Sequence, residues 1–105
     1  GKIAVISMFK QELASLGLKE IDTEDITTLA RSIRNIQVVL FFKEMEQDVY
    51  RVSIRSRGRA NAAAIAEHFG GGGHFHAAGF TVQGKYEALI EEIPEKVYFL
   101  FLKGL

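Results

Sequence analysis

Four consecutive glycines, Gly70 to Gly73, sit between Phe69 and the run His74-Phe75-His76-Ala77-Ala78-Gly79. A chain rarely spends four of its most flexible residues in one place, because each loses more backbone entropy on folding than any other type. The run therefore marks a place where the backbone takes positive φ or where another group comes close. Flanking apolar Phe69 and small, packable Ala77 and Ala78 argue for an ordered segment rather than a flexible linker, which would carry Ser or Pro. Successive backbone N–H groups in such a turn form a concave anion site, with phosphate its usual guest.

A second feature lies just upstream. Residues 49–56 alternate, so a strand here puts Tyr50, Val52 and Ile54 on a core face and Arg51, Ser53, Arg55 and Arg57 on the other. Arg51, Arg55, Arg57 and Arg59 fall close together, and no Asp or Glu occurs between Asp48 and Glu67. The chain's formal net charge is +0, so this strip suits a short anion but not the broad field of a long-duplex binder. An edge strand kept soluble by charge has the same appearance. Guanidinium forks at Arg55 and Arg57 suit phosphate, and Ser53 and Ser56 add neutral donors. Arg51, nearer the strand's start, is expected to matter less.

The remaining elements follow from periodicity. Ile3 to Phe9 reads as a buried strand, followed by a short helix through Leu13 and Leu16 that stops at Gly17. A second helix starts at Asp22 or Thr23, with Ile26, Leu29, Ala30 and Ile33 on one face. Ile36 to Phe42 is a continuous apolar run, the signature of a strand covered on both faces, and Glu44 to Asp48 reads as a polar turn. Asn61 caps a helix running to Phe69, and Phe80 to Val82 makes a last short strand. In the tail, Tyr86, Leu89, Ile90 and Ile93 have helical spacing; Pro94 either kinks this helix or opens another, and Val97 to Leu102 is open between helix and strand. The expectation is one α/β (α+β) domain over residues 1–105, a mixed sheet flanked by helices.

At 105 residues and 48% hydrophobic, the chain is large enough for one unstapled core. It has no cysteine, which excludes disulfides and thiolate metal sites and is compatible with a reducing cytoplasm. No apolar run approaches the ~20 residues needed to span a bilayer. The loop lacks the Gly-Lys-Ser/Thr end of a P-loop, and no serine nucleophile elbow occurs. His74 reads as a structural histidine, a metal ligand or a protonated phosphate donor; His68 and His76 complete no recognised metal spacing. Phe75 can pack or stack a base.

Ser53-Ile54-Arg55-Ser56, the segment Ile65 to Phe69 and the run Gly70 to Gly79 together resemble the C-terminal DHH-associated domain of DHH-family phosphoesterases. The resemblance is specific over residues 49–82 and points to the bifunctional oligoribonuclease and phosphoadenosine-phosphate phosphatase branch. It implies that Arg55, Gly71, Gly72, Gly73 and His74 contact a substrate's phosphate or sugar. It further implies short RNA or nucleotide phosphates as ligands, and an N-terminal DHH domain that carries manganese and the chemistry. This chain, beginning at Gly1 rather than Met, is then expected to be a substrate-binding fragment with no cofactor and no turnover of its own. A homodimer stays open. Alanyl-tRNA synthetase C-terminal domains carry a related glycine run, which makes an RNA-binding module the alternative, and a structural or oligomerising domain the other.

Overall fold

The computed structural model describes residues 3–9 and 36–104. Among them the chain forms strands β1 (Ile3–Met8), β2 (Val38–Glu46) and β3 (Val49–Ser56), helix α1 (Ala62–Glu67), strands β4 (Gly72–His74) and β5 (Ala77–Gln83), and helix α2 (Tyr86–Leu102). The strands make one five-stranded sheet in the order β1-β2-β3-β5-β4. β1 runs parallel to β2, and every other neighbouring pair is antiparallel, so the sheet is mixed and the domain is α+β as expected. The two helices expected between β1 and β2 lie outside the described residues.

Alternation in β3 decides what each face of the sheet becomes. Tyr50, Val52, Ile54 and Ser56 are buried, while the odd-numbered residues between them are not. The buried set joins Val38, Leu40 and Phe42 of β2 and Ala78 and Phe80 of β5 in one core. Against it pack Ala62, Ile65 and Ala66 of α1 and Leu89, Ile93, Val97 and Leu100 of α2. Each large aliphatic side chain closed off this way contributes about 1.5–3 kcal/mol. Val39 and Phe41, on the other face of β2, are also fully buried, so the continuous apolar run does mark a strand covered on both sides.

At one end of the core, aromatic rings tie β1 to the start of α2. Phe9 meets Tyr86 edge-on at 4.8 Å, Tyr50 lies 5.8 Å from Tyr86, and Ser7 Oγ shares a 2.7 Å hydrogen bond with the Tyr86 hydroxyl. Burial pushes the Tyr50 phenol above its ordinary value, helped by the neighbouring carboxylates of Glu44, Asp48 and Glu87. At the other end Phe69 stacks on Phe80 with ring centres 4.5 Å apart.

Several boundaries differ from the sequence expectation, among them that of the last strand, which runs Ala77–Gln83 rather than Phe80 to Val82 because pairing with β3 and β4 extends it. β2 continues through Glu46, with a register irregularity between Glu44 and Glu46, so the turn shrinks to Gln47 and Asp48, the latter at φ 58°. Residues 72–74, expected as loop, form a short edge strand. The tail is one helix that carries Pro94 inside it and takes in Val97 to Leu102. Buried Ile93 and Val97 flank the proline, so packing on the sheet offsets the hydrogen bond it removes. Phe80→Ala, which empties a fully buried site stacked on Phe69, is expected to cost about 3–5 kcal/mol in a urea denaturation series.

Candidate phosphate-binding face

The four glycines do four different things. Gly70, at φ +83°, ends α1: its N–H donates to Glu67 O at 3.2 Å and that of Gly71 to Ala66 O at 2.9 Å, the paired bonds of a Schellman cap. Gly71 is pressed against β5, where an added Cβ would lie 2.6 Å from Phe80 Cβ and would run into the Gly79 carbonyl. Gly73 combines φ +149° with a Cβ direction that meets Ala78 Cα at 2.5 Å. Gly72 alone has an ordinary φ and, among the described residues, nothing within 4 Å of where its Cβ would stand. The run is thus half helix cap and half edge strand rather than one continuous turn of free N–H groups. Of the two expected reasons for glycine, positive φ applies at Gly70 and Gly73 and not at Gly72.

Strand register then assembles the face around Gly72. Partners directly opposite one another in a sheet point to the same side. Ser53 pairs with Gly79, which pairs with Gly72; Arg55 pairs with Ala77, which pairs with His74; Arg51 pairs with Thr81. The face turned away from α1 and α2 therefore presents three rows. The middle row runs from Ser53 across two glycines to the sheet edge with no further side chain. One flanking row carries Arg55 and His74 with only the Ala77 methyl between them, about 10 Å apart at the backbone from two strand spacings. The other carries Arg51 and Thr81.

The tip of the β4–β5 hairpin is clamped to the rest of the domain by Ser56. Its backbone N–H donates to His76 O at 3.0 Å, and its hydroxyl reaches Ala60 O at 2.8 Å and Phe75 O at 3.1 Å. Ala62 N–H donates to the same Phe75 carbonyl at 2.6 Å, and His76 Nε2 lies 3.1 Å from Gly58 O. Neighbouring polar groups of two loops thus converge on one buried side chain. Asn61 caps α1 by accepting from Ala64 N–H at 3.1 Å, which aims that helix at the hairpin.

The expected site residues divide accordingly. Ser53, Arg55, Gly72 and His74 come together on the open face. Gly73 lies between Gly72 and His74 on the edge strand, and Gly71 is enclosed against β5 with its N–H used by the helix cap. Ser56, expected to face a ligand as a neutral donor, is fully buried on the core side, because an even-numbered position in β3 points away from the arginines. Arg57 follows the end of β3, and its N–H donates to Gln37 O at 3.0 Å. Arg55 Nη1 donates to the Ile54 carbonyl at 3.1 Å, which lays its side chain along the strand. Arg51, discounted from sequence, extends over β5: its guanidinium occupies the space above Gly79, 2.8 Å from where a side chain would begin, and Nη1 lies 3.4 Å from Thr81 Oγ1. Thr81 was not anticipated, since only the β3–β5 register reveals it. Among the described residues no three His, Asp or Glu side chains gather to hold a metal ion.

A family model of the DHHA1 domain matches residues 4–98. The chain belongs to this family. The bifunctional oligoribonuclease and PAP phosphatase NrnA of Thermus thermophilus is 40% identical over 83 residues, which cover 74% of this chain and 25% of that protein. The protein of the same name from Mycoplasma pneumoniae is 36% identical over 58 residues, covering 55% and 18%. This DHHA1 domain thus spans a quarter or less of the curated relatives it matches. Among solved structures, an exopolyphosphatase-related protein from Bacteroides fragilis superposes with TM-score 0.81 at 26% identity, covering 93% of this chain and 29% of that one. A pGpG-specific phosphodiesterase, PggH, from Vibrio cholerae shares the fold, with TM-score 0.67 at 11% identity over 99% of this chain and 34% of its own.

The separate duties of the glycines are testable by stability alone. Gly72→Ala is expected to stay within about 0.5 kcal/mol of the wild type in chemical denaturation, as an open surface site does. Gly71→Ala and Gly73→Ala should each lose more than 1 kcal/mol, roughly, because the backbone of β5 must move to admit a methyl group.

Proposed function

We propose that the open face of this DHHA1 domain grips a phosphate of a short oligoribonucleotide or nucleotide phosphate, and so acts as the substrate-binding half of a DHH-family phosphoesterase. One observation carries the reading: nothing among the described residues requires Gly72 to be glycine, and it lies in the row between Arg55 and Arg51. A residue kept bare toward empty space is what a ligand lying against the backbone requires. Arg55 supplies charge and a planar pair of donors, Ser53 a neutral hydroxyl, His74 a ring nitrogen at the edge, and β4 the outer backbone of the sheet among the described residues. The names of the relatives, which pair oligoribonuclease with PAP phosphatase, support this ligand class.

In this proposal a separate DHH domain binds manganese, and the metal supplies an activated water for attack on the phosphoester. The residues of the present domain bind and orient the substrate without forming or breaking a bond. Its working place is the cytoplasm, consistent with a chain free of cysteine. Among the described residues no helix is long and apolar enough to cross a membrane.

Titration calorimetry with AMP and the dinucleotide pApA tests the reading. Arg55→Ala is expected to cost roughly 1.5–3 kcal/mol of affinity, about 10- to 150-fold, as the loss of a charge-assisted hydrogen bond. Gly72→Val should remove binding while circular dichroism still shows a folded domain. Affinity for short RNA should fall with salt with the shallow slope of one to a few phosphates, about 0.7 per contact. Wild-type affinity in both variants would refute the site, and a steep slope would transfer the reading to a structured-RNA module.

A further inference from the structure

We infer that Arg51 is a specificity residue that grips a second phosphate, so that this face prefers ligands with two successive phosphates over mononucleotides. The inference rests on the phosphate site proposed above. Arg51 stands two rows from Arg55 along β3, which alone would put the two charges too far apart to serve neighbouring phosphates. Its side chain closes that gap. Arg51 is exposed, yet its guanidinium lies down over Gly79, a residue buried although it belongs to the open face. Gly79 is what makes this possible, since a Cβ there would stand 2.8 Å from Nη2, 3.2 Å from Cζ and 3.0 Å from the Val52 carbonyl.

The guanidinium is thereby brought into the Ser53–Gly79–Gly72 row, one row from Arg55, a step of about 6.6 Å along the strand. That is comparable to the span of one sugar between two phosphates. Thr81 Oγ1, 3.4 Å from Nη1, steadies the side chain from the neighbouring strand, leaving further donors of the fork for a ligand. A diffuse basic strip would leave Arg51 extended and its position under no such constraint.

The test compares AMP with pApA on the whole chain by calorimetry. Wild type is expected to bind pApA roughly tenfold or more tightly than AMP, the size of one charge-assisted contact. Arg51→Ala should bring that ratio to within about threefold of unity, the loss falling mainly on pApA, and Arg51→Gln, which keeps donors but not charge, should fall between. Arg55→Ala should weaken both ligands. If Arg51→Ala lowered both affinities by the same factor, the guanidinium would be stacking on a base or serving the first phosphate. If the ratio did not move, Arg51 would have no part in binding; either result overturns the inference. Loss of the Arg55 and Gly72 effects would instead sink the underlying phosphate site, so the two failures are distinguishable.

Discussion

The pairing of β3 with strands on both of its sides is the constraint on which the rest of the domain depends. Because successive side chains alternate, a slip of one residue against β2 or β5 would carry Val52 and Ile54 to solvent and drive Arg51 and Arg55 into the core. The hydrophobic penalty for that exchange locks the register. Once it is locked, the positions of Ser53, Arg51 and Arg55 relative to Gly72, Gly79 and His74 follow without further adjustment. Ser56 adds a polar fastening, its hydroxyl holding the hairpin tip against the end of β3 through the Ala60 and Phe75 carbonyls.

The glycine run shows how one composition can satisfy several constraints in series. Two of its N–H groups terminate a helix of only six residues, allowing the chain to reverse at once into an edge strand. Close packing of that strand on β5 forbids side chains at Gly71 and Gly73. Only after these local needs are met does Gly72 stand out as bare toward open space. A run of identical residues is therefore not a run of identical roles.

Fold similarity and local chemistry also separate here. A structure at 11% identity retains the architecture, because a mixed sheet packed against helices needs only the right pattern of apolar residues. The rows on the open face need particular residues at particular register positions, and they are where two domains of this fold can differ in what they hold.

Much was legible in the chain itself. Alternation along residues 49–56 identified the core and open faces of β3, the continuous apolar run identified the doubly covered β2, and Asn61 with Gly70 marked the ends of α1. The resemblance around Arg55 and the glycines pointed to the DHHA1 family before any coordinate did. What stayed hidden depended on residues distant in sequence: that Ser56 faces inward to clamp a hairpin tip, that Pro94 sits within one continuous helix, and that Arg51 lies over Gly79 beside Thr81. Local propensity and periodicity act over a few residues, so they determine which way each side chain of a strand faces. Which strands become neighbours, and in what register, is settled by burial summed over the whole core, and only that choice brings a glycine under an arginine.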